Sequence, residues 1–377
     1  MTNFVNGVNL GGWLSQYREY SHDHFRTFIT EPDIQRIASW GLDHVRLPVD
    51  SPVLEDDKAP GVPLERGYGY IDECIRWCEA AGLGVILDIH HAPGFSFTHD
   101  LEAETKSLNT LFEDPGNQER FINLWEGLVR RYHDAPVPII FELLNEVVLP
   151  QNEPWNALVR RTVPALRAIA PECVIMIGGN HNNAVAGLTG LVEFDDPKIV
   201  YTFHFYEPLL FTHQNAPWSA APREWKEKPS YPGDFPALEA FLATAPQHRE
   251  EHGRFVGRSD DRELLLEMLQ PALDFAARTG RELYCGEFGV AEWVDPESRA
   301  NWYRDFMGLL REHHIGRAPW SYKQMDFGLV DAGGNVVDEE VLRIVRGEAR
   351  HGRGPRAYTA TTVTTPSSPA KSSGLRV

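Results

Sequence analysis

Two stretches, Ile139-Ile140-Phe141-Glu142-Leu143-Leu144-Asn145-Glu146 and Leu283-Tyr284-Cys285-Gly286-Glu287-Phe288-Gly289, decide how this 377-residue chain folds. Each is an apolar, strand-like run with a glutamate at its end, Glu146 in the first and Glu287 in the second. Runs this apolar are typical of parallel strands that helices cover on the outside. A carboxylate at the C-terminal tip of such a strand is where an eight-stranded α/β barrel carries its functional groups. The two stretches therefore favour a barrel with both glutamates at its mouth.

The rest of the chain repeats the same alternation of apolar runs and longer amphipathic segments. The runs predict strands over Gly7–Leu10, His44–Pro48, Gly84–His90, Ile139–Asn145, Cys173–Gly178, Ile199–Phe205, Glu282–Glu287 and Ala318–Tyr322. The segments between them predict helices over Glu31–Trp40, Gly69–Ala81, Asn117–Tyr132, Trp155–Ala170, Asp261–Thr279 and Glu297–His313. The glycine-rich phosphate-binding turn of an open doubly wound sheet is missing after the first strand. The fold class is therefore α/β, as a (β/α)8 TIM barrel.

Two segments depart from the repeat. Residues 207–260 form a long insertion after strand six, rich in proline and aromatic residues, and we expect an ordered wall beside the active site. Residues 351–377 form a low-complexity C-terminal tail rich in Thr, Ser and Pro, a composition typical of disordered segments. The sequence thus predicts one catalytic domain over 1–350, which includes the insertion, followed by the tail.

Composition narrows the classes of partner. The formal net charge of −18 argues against nucleic acid, because binding a polyanion needs clustered Lys and Arg. No run approaches the roughly 18 apolar residues of a membrane span, and no export signal is visible at the start, so we expect a cytoplasmic protein without a membrane partner. The four scattered cysteines predict reduced thiols rather than a disulfide framework. A small neutral substrate such as an oligosaccharide fits this composition, which predicts no particular oligomeric state.

The two glutamates suit one reaction in particular. Retaining cleavage of a β-glycosidic bond needs a carboxylic acid that protonates the departing oxygen and a carboxylate that attacks the anomeric carbon, about 5–5.5 Å apart. Strands four and seven face each other across a barrel mouth, so Glu146 and Glu287 can meet there. Arg46, at the end of strand two, is placed to hold Glu287 as an anion. These considerations assign Glu146 as acid/base and Glu287 as nucleophile.

The end of strand four needs an irregularity. Strict alternation would point Asn145 and Glu146 to opposite faces, so we predict that the strand ends or bulges there. Asn145 can then hydrogen-bond a sugar hydroxyl. Glu142 shares the parity of Glu146 but lies two pleats deeper, and we interpret it as a paired, structural carboxylate.

Other strand ends carry ring systems suited to sugars. His90 and His91 end strand three, His204 and Tyr206 end strand six, and Trp320 lies on strand eight, where an indole offers a platform for a pyranose ring. His90 and His91 are adjacent, so at most one should face inward. The zinc motif H-E-x-x-H is absent from the sequence, and we predict neither a metal nor a cofactor.

In their order along the chain these motifs resemble glycoside hydrolase family 5, whose members are retaining β-glycosidases on (β/α)8 barrels. The resemblance covers roughly residues 7–326 and rests on Gly7-Val8-Asn9-Leu10-Gly11-Gly12-Trp13-Leu14, His44-Val45-Arg46-Leu47-Pro48, Asp88-Ile89-His90, Leu144-Asn145-Glu146, His204-Phe205-Tyr206 and Gly286-Glu287-Phe288-Gly289. It implies the roles already given to the two glutamates. It also implies a supporting shell of Arg46, His90, Asn145, His204, Tyr206 and Trp320. Val147 departs from the family, since many members have Pro there.

The resemblance also carries an expectation about the substrate. The opening motif and the segment Asp88–Gly94 look like the exo-glucanase side of the family, so we expect exo action on β-1,4-linked manno- or gluco-oligosaccharides, as in a β-mannosidase or β-glucosidase. An endo-β-1,4-glucanase, or cellulase, is the alternative enzyme, and a non-catalytic sugar-binding protein is the alternative of another class. Candidates for telling mannose from glucose are Trp13, Tyr17, Asn180, His181 and Asn182.

Overall fold

The structure is a computed structural model that describes residues 4–97 and 109–348. Eight parallel strands form its central sheet, in the order β1-β2-β3-β4-β5-β6-β9-β10. A parallel bridge between Asn6 and Arg317 joins the last strand to the first and brings the sheet to a nearly closed barrel. The strands are β1 Gly7–Asn9, β2 His44–Asp50, β3 Gly84–His91, β4 Ile139–Glu142, β5 Val174–Gly178, β6 Ile199–Phe205, β9 Glu282–Phe288 and β10 Gly316–Arg317.

The predicted (β/α)8 TIM barrel is confirmed, with one strand misplaced. The expected eighth strand, Ala318–Tyr322, is wrong, because the paired residues are Gly316 and Arg317 just before it. The apolar run that follows makes only single hydrogen bonds to its neighbours, as from Trp320 N to the carbonyl oxygen of Phe288 at 3.0 Å. An apolar run marks burial, whereas a strand also needs a continuous ladder of backbone partners.

Helices pack around the outside, and all six predicted ones are present within a few residues of their expected ends. Proline in the first turn starts several of them, and Gly82 and Gly280 end α4 and α11 in left-handed conformations with φ of 72° and 66°. The helices are α1 His22–Thr27, α2 Glu31–Ser39, α3 Ser51–Leu54, α4 Glu65–Ala81, α5 Pro115–Tyr132, α6 Glu153–Ile169, α7 Leu209–Thr212, α8 Ala220–Trp225, α9 Leu238–Thr244, α10 Arg249–His252, α11 Arg262–Thr279, α12 Pro296–Glu312 and α13 Glu339–Val345. Among the described residues, no helix has the length and apolarity to cross a membrane.

The barrel interior has two unlike ends. At the N-terminal end of the strands most inward side chains are apolar. They pack as one buried cluster of Phe4, Ile86, Ile140, Met176, Val200, Tyr284 and Ala318, and the His44 ring stacks on Phe4. At the C-terminal end the inward side chains are charged or amide-bearing and equally buried, namely Asn9, Arg46, Asp88, Glu142 and Glu287. Alternation along each strand places both sets in the lumen.

Local irregularities set which side chains reach the mouth. β4 ends at Glu142, so the predicted irregularity before Asn145 and Glu146 is confirmed. The register of β6 against β9 shifts by one residue, with His204 opposite Glu287, which leaves Gly286 as the extra residue of a bulge. A Cβ at Gly286 would lie 2.9 Å from Thr202 Oγ1, which is closer than side chains tolerate. Glycine therefore permits the bulge that turns Glu287 into the lumen.

The insertion at 207–260 is ordered and has a small core of its own. Besides α7 to α10 it contains a short antiparallel pair, β7 Gly233–Asp234 and β8 Ser259–Asp260. Its apolar side chains pack together with Leu264 of α11, through Leu210, Ala221, Trp225, Phe235, Leu238, Leu242 and Phe255. The division into a domain over 1–350 and a tail stays a prediction, since 351–377 lies outside the described residues.

Candidate active site

Arg46 is the hub of the charged end of the barrel. Its guanidinium is fully buried and contacts three carboxylates, with Nε to Glu142 Oε2 at 2.6 Å, Nη1 to Glu287 Oε1 at 2.8 Å and Nη2 to Asp88 Oδ2 at 3.1 Å. Nη2 also donates to Asn145 Oδ1 at 2.8 Å. Buried carboxylates are stable only when such a partner compensates their desolvation. The contact with Glu287 is the predicted one, and the pairing of Glu142 is confirmed.

Glu146 and Glu287 converge at the mouth. One carboxylate oxygen from each, together with a ring nitrogen of His204, lie within 4.8 Å of one another. This separation suits direct attack by one carboxylate while the other handles the leaving oxygen, since retaining glycosidases hold the pair about 5–5.5 Å apart. Among the described residues these three side chains are also the group whose donor atoms are close enough to hold a metal ion.

Glu287 is surrounded by groups that stabilise its anion. Besides the bond from Arg46, Oε2 accepts a hydrogen bond from Tyr206 Oη at 2.9 Å. Burial raises the pKa of Glu287 above its ordinary value, and His204, Arg46 and the Tyr206 hydroxyl all act against that rise. A permanent cation at 2.8 Å favours the ionised carboxylate, which is the form that a nucleophile needs.

Glu146 has weaker partners. Its Oε1 lies 2.8 Å from Nδ1 of His204, and its Oε2 accepts a hydrogen bond from Asn182 Nδ2 at 3.2 Å. Burial raises the pKa of Glu146 to about 7, although Asn182 and Arg46 oppose the rise. Burial also lowers the pKa of His204 to about 4, so this imidazole is neutral near pH 7. Glu146 is thus poised to hold and release a proton near neutrality.

A bulge in β3 brings two adjacent histidines to the same side. The register between β2 and β3 shifts so that Asp50 lies opposite His91, which makes His90 the extra residue. Both imidazoles contact the ring of Phe97, at 5.1 and 5.0 Å between centroids. The expectation that at most one of them faces inward assumed an unbroken alternation, which the bulge removes, and it stays a prediction. His91 Nδ1 lies 3.3 Å from Asp50 Oδ1.

The remaining predicted residues line the same mouth. Trp320 stacks on His90 with ring centroids 5.6 Å apart and planes inclined by 9°. Asn145 is buried, and its Nδ2 has no hydrogen-bond partner among the described residues, so this donor is available to a ligand. The structure therefore gathers all nine predicted site residues at one end of the barrel, namely Arg46, His90, His91, Asn145, Glu146, His204, Tyr206, Glu287 and Trp320.

Two residues of the site escaped the sequence prediction. Asn9 Oδ1 accepts a hydrogen bond from Arg46 Nη1 at 2.9 Å, and Asn9 Nδ2 ties the ends of β9 and β10 together through the carbonyl oxygens of Gly286 and Ala318. The sequence predicts Asn182 only as a candidate for telling mannose from glucose, yet its side chain donates a hydrogen bond to Glu146. The sequence feature that could have pointed to this contact is the triplet His181, Asn182 and Asn183. All three residues adopt the left-handed backbone region, which Asn enters readily.

Three other candidates for sugar selectivity have different surroundings. Trp13 is fully buried, donates to the carbonyl oxygen of Phe25 at 2.7 Å and stacks on Trp77, so it belongs to the core. Asn180 is committed to both backbone groups of Leu149. Tyr17 is half-buried and packs edge-on against Tyr20.

Exposed aromatic side chains lie in loops that follow three different strands. Trp218 of the insertion is 50% exposed and meets Trp293, which follows β9 and is 42% exposed. Tyr20, in the segment after β1, is 43% exposed and packs on Tyr17. Trp218 connects to the site through His213, whose ring lies 5.3 Å from Tyr206. The predicted aromatic wall of the insertion beside the site is thereby confirmed.

The chain matches the family model described as cellulase, glycosyl hydrolase family 5, over residues 6–326. It is 43% identical over 349 residues to endoglucanase C of Acetivibrio thermocellus, an alignment that covers 92% of this chain and 98% of that relative. It is 35% identical over 317 residues to cellodextrinase A of Ruminococcus flavefaciens, covering 83% and 84% of the two chains.

The fold has solved counterparts. The crystal structure of endoglucanase Cel5A from the hyperthermophilic Thermotoga maritima has a TM-score of 0.72 with this chain, at 24% identity. The superposition covers 91% of this chain and 97% of that one. At this identity the likeness concerns the barrel itself, which is common to many chemistries.

Proposed function

The chain belongs to glycosyl hydrolase family 5 and is a retaining β-glycosidase, and from this premise we propose that it is an endo-β-1,4-glucanase acting on cello-oligosaccharides. The observation that carries the proposal is the 43% identity to an endoglucanase along 98% of that relative's length. Cellodextrinase A, the relative at 35% identity, is named for short soluble chains and supports oligosaccharides as substrates. The exo-acting mannosidase or glucosidase expected from the sequence has less support, because the endoglucanase match spans nearly the whole chain.

The arrangement of aromatic side chains also favours internal cleavage. Tyr17 and Tyr20 follow β1, whereas Trp218 and Trp293 follow β6 and β9, so the two groups lie in different loops of the eight-stranded barrel. We take these two groups as the rings on which a sugar chain bound across Glu146 stacks, one on each side of the scissile bond. An exo-acting site needs one of these two sides closed.

We assign Glu146 as the general acid of the first step. With a pKa near 7 its carboxyl keeps a proton in neutral solution and delivers it to the departing glycosidic oxygen. Glu287, ionised beside Arg46, attacks the anomeric carbon from the opposite face. The bond to the leaving sugar breaks as the ester bond to Glu287 forms, which leaves a covalent glycosyl-enzyme.

The second step reverses the role of Glu146. Having lost its proton, the carboxylate accepts one from a water molecule, and the resulting nucleophile attacks the same anomeric carbon. The ester bond to Glu287 breaks, and the carboxylate returns to its bonds with Arg46 and Tyr206. Two inversions at one carbon give net retention of the β configuration.

A chain-length experiment tests the endo proposal. Cellohexaose labelled at its reducing end is digested briefly, and the first labelled products are separated by size. Internal cleavage yields labelled di- and trisaccharides from the start, whereas glucose released alone, with a labelled product one unit shorter, would contradict the proposal. Labelled mannohexaose in parallel tests the preference for glucose, and we expect slower cleavage of it.

Matched variants locate the two sides of the cleft. Trp218→Ala and Tyr20→Ala should each lower kcat/KM for cellohexaose by about 2- to 10-fold, since an aromatic contact contributes about 0.5–1.5 kcal/mol beyond area burial. A short aryl β-cellobioside reaches only one side, so only the variant on that side should lower its kcat/KM. If only one variant affected cellohexaose, the cleft would be closed on the other side, as in an exo-acting enzyme.

A further inference from the structure

His90 has one occupied ring nitrogen and one free one. Nδ1 lies 2.7 Å from Oδ2 of Asp88, and both residues are fully buried. Nε2 is buried as well and has no hydrogen-bond partner among the described residues. Asp88 precedes His90 by two residues on β3, so Nδ1 faces back along the strand and Nε2 lies on the far side of the ring from Asp88.

The surroundings of Asp88 decide which nitrogen carries the hydrogen. Oδ2 of Asp88 also lies 3.1 Å from Nη2 of Arg46. The two hydrogens of Nη2 are donated to Glu142 Oε1 and Asn145 Oδ1, so Arg46 acts on Asp88 through its charge, which opposes the rise that burial causes in the pKa of Asp88 to about 7. An ionised Asp88 can only accept, so Nδ1 of His90 is the donor to it. A neutral imidazole with its hydrogen on Nδ1 has a bare lone pair on Nε2.

The ring is held neutral and in place. Burial, together with the positive charges of Arg46 and His91, lowers the pKa of His90 well below its ordinary value. Trp320 covers one face of the imidazole, and Phe97 meets it edge-on at 86°. These contacts leave the ring little freedom to flip or rotate.

We propose that Asp88 is a positioning residue, which fixes the Nδ1–H tautomer of His90 so that Nε2 accepts a hydrogen bond from a substrate hydroxyl. The inference rests on the proposed function, because it takes a β-glucan as the ligand. Asn145 has the complementary property: its Oδ1 is used by Arg46, so its free Nδ2 can only donate. The mouth thus offers a sugar one obligate acceptor and one obligate donor, which fixes the direction of both hydrogen bonds.

The tautomer itself is measurable in the wild-type enzyme. With 15N-labelled histidine, long-range proton–nitrogen correlations separate a protonated ring nitrogen from a bare one, and His90→Gln identifies the signal. We expect a protonated Nδ1 and a bare Nε2, whose 15N resonance moves upfield when saturating cellobiose is added. A protonated Nε2 in the free enzyme, or a bare Nε2 that cellobiose leaves unmoved, would overturn the inference.

Variants of Asp88 test whether it acts through His90. Asp88→Asn can still present a carbonyl oxygen to Arg46 and His90, so the tautomer should persist and kcat/KM should fall only a few-fold. Asp88→Ala removes the acceptor, and we expect mixed tautomers and a loss in kcat/KM on the order of tenfold or more for an aryl β-cellobioside. Thermal unfolding of both variants controls for folding.

A double-mutant cycle separates positioning from a general structural role. If Asp88 works through His90, then adding Asp88→Ala to His90→Ala should cost almost nothing further. Fully additive losses would contradict the proposal and point instead to an effect of Asp88 on Arg46. Failure of the glucanase proposal would show as absent turnover in wild type, while the tautomer measurement on the free enzyme would still stand.

Discussion

The two ends of the barrel lumen are equally buried and are stabilised in opposite ways. At the N-terminal end of the strands, Ile86, Ile140 and Met176 pack against one another in one apolar cluster. At the C-terminal end, one or two pleats further along the same strands, Asp88 and Glu142 meet a guanidinium. One set of strands therefore supplies a packed floor and, directly above it, a charged site.

The contrast has energetic consequences. A close-packed apolar layer loses free energy of unfolding in proportion to the atoms removed from it. The charged layer depends instead on compensation, because Arg46 balances Asp88, Glu142 and Glu287, and removing one member of a buried pair costs about 3–5 kcal/mol. Changes in the floor should therefore affect stability, and so should removal of Arg46. An amide in place of one carboxylate leaves Arg46 paired with the other two, so it should affect chemistry more than stability.

The largest effect should come from Glu287→Gln. The amide keeps the shape of the side chain but cannot form the covalent intermediate, so kcat should fall by on the order of 10⁵-fold. The stability of the fold should hardly change, since Arg46 keeps two other carboxylates. Measurement of kcat together with thermal unfolding checks both expectations. Substantial residual turnover in a folded variant would assign the nucleophile elsewhere.

Glu146→Gln should separate the two chemical steps. For cello-oligosaccharides, loss of the general acid should lower kcat by roughly 10²–10⁴-fold. A dinitrophenyl β-cellobioside needs no protonation of its leaving group, so formation of the glycosyl-enzyme should stay fast. Hydrolysis of the glycosyl-enzyme should slow, because the general base is missing. Stopped-flow absorbance should then show a burst of dinitrophenol. Equal losses for both substrates, without a burst, would argue against the acid/base role.

Met176→Ala tests the floor. Met176 is fully buried in the apolar cluster on β5, and deleting its side chain should lower the free energy of unfolding by about 2–5 kcal/mol. The kcat of the folded fraction should change by no more than about twofold. Met176→Leu, which conserves volume, should cost less than about 1.5 kcal/mol. Denaturant unfolding and kcat at saturating substrate measure the two quantities. A large fall in kcat would show that the apolar end of the lumen also controls the chemistry, which contradicts the contrast between the two ends.

Asn182→Ala should give the smallest effect. The hydrogen bond from Asn182 lowers the pKa of Glu146, so its loss should raise that pKa above about 7. The acid stays protonated to higher pH, and the alkaline limb of kcat/KM should move up by about 0.4–1 pH unit, the equivalent of one neutral hydrogen bond. The pH profile of an aryl β-cellobioside measures the shift, and a limb that stayed in place or moved to lower pH would contradict the assignment.

Much of the barrel could be predicted because buried parallel strands are apolar from end to end. Seven of the eight strands were found in this way, and β10 was not, since Gly316 and Arg317 form a pair too short and too polar to give such a signal. The two register shifts were also out of reach. A bulge depends on backbone pairing between strands, and Gly286 was its only local sign.

The site was predicted where a residue lies near the end of a strand, as with Glu287 in β9. Arg46 was expected at the end of strand two, which is wrong, because it is the third of the seven residues of β2 and reaches the site through its long side chain. Asn9 ends β1 but was missed, because it looks like an ordinary polar residue until the structure places Arg46 beside it. The partnership of Asn182 with Glu146 depends on a loop conformation with φ of 54°, and the residue order does not fix that conformation. The mode of cleavage was harder still, since loops at the mouth decide it.

The roles of the two glutamates are tested most directly by identifying the residue that forms the covalent glycosyl-enzyme. A 2-deoxy-2-fluoro β-cellobioside with an activated leaving group should accumulate a covalent glycosyl-enzyme, because the fluorine slows the second step more than the first. Peptide mass spectrometry of the trapped protein should find the added sugar on Glu287. Labelling of Glu146, or an intact protein that never gains the sugar while it releases the leaving group, would contradict the account.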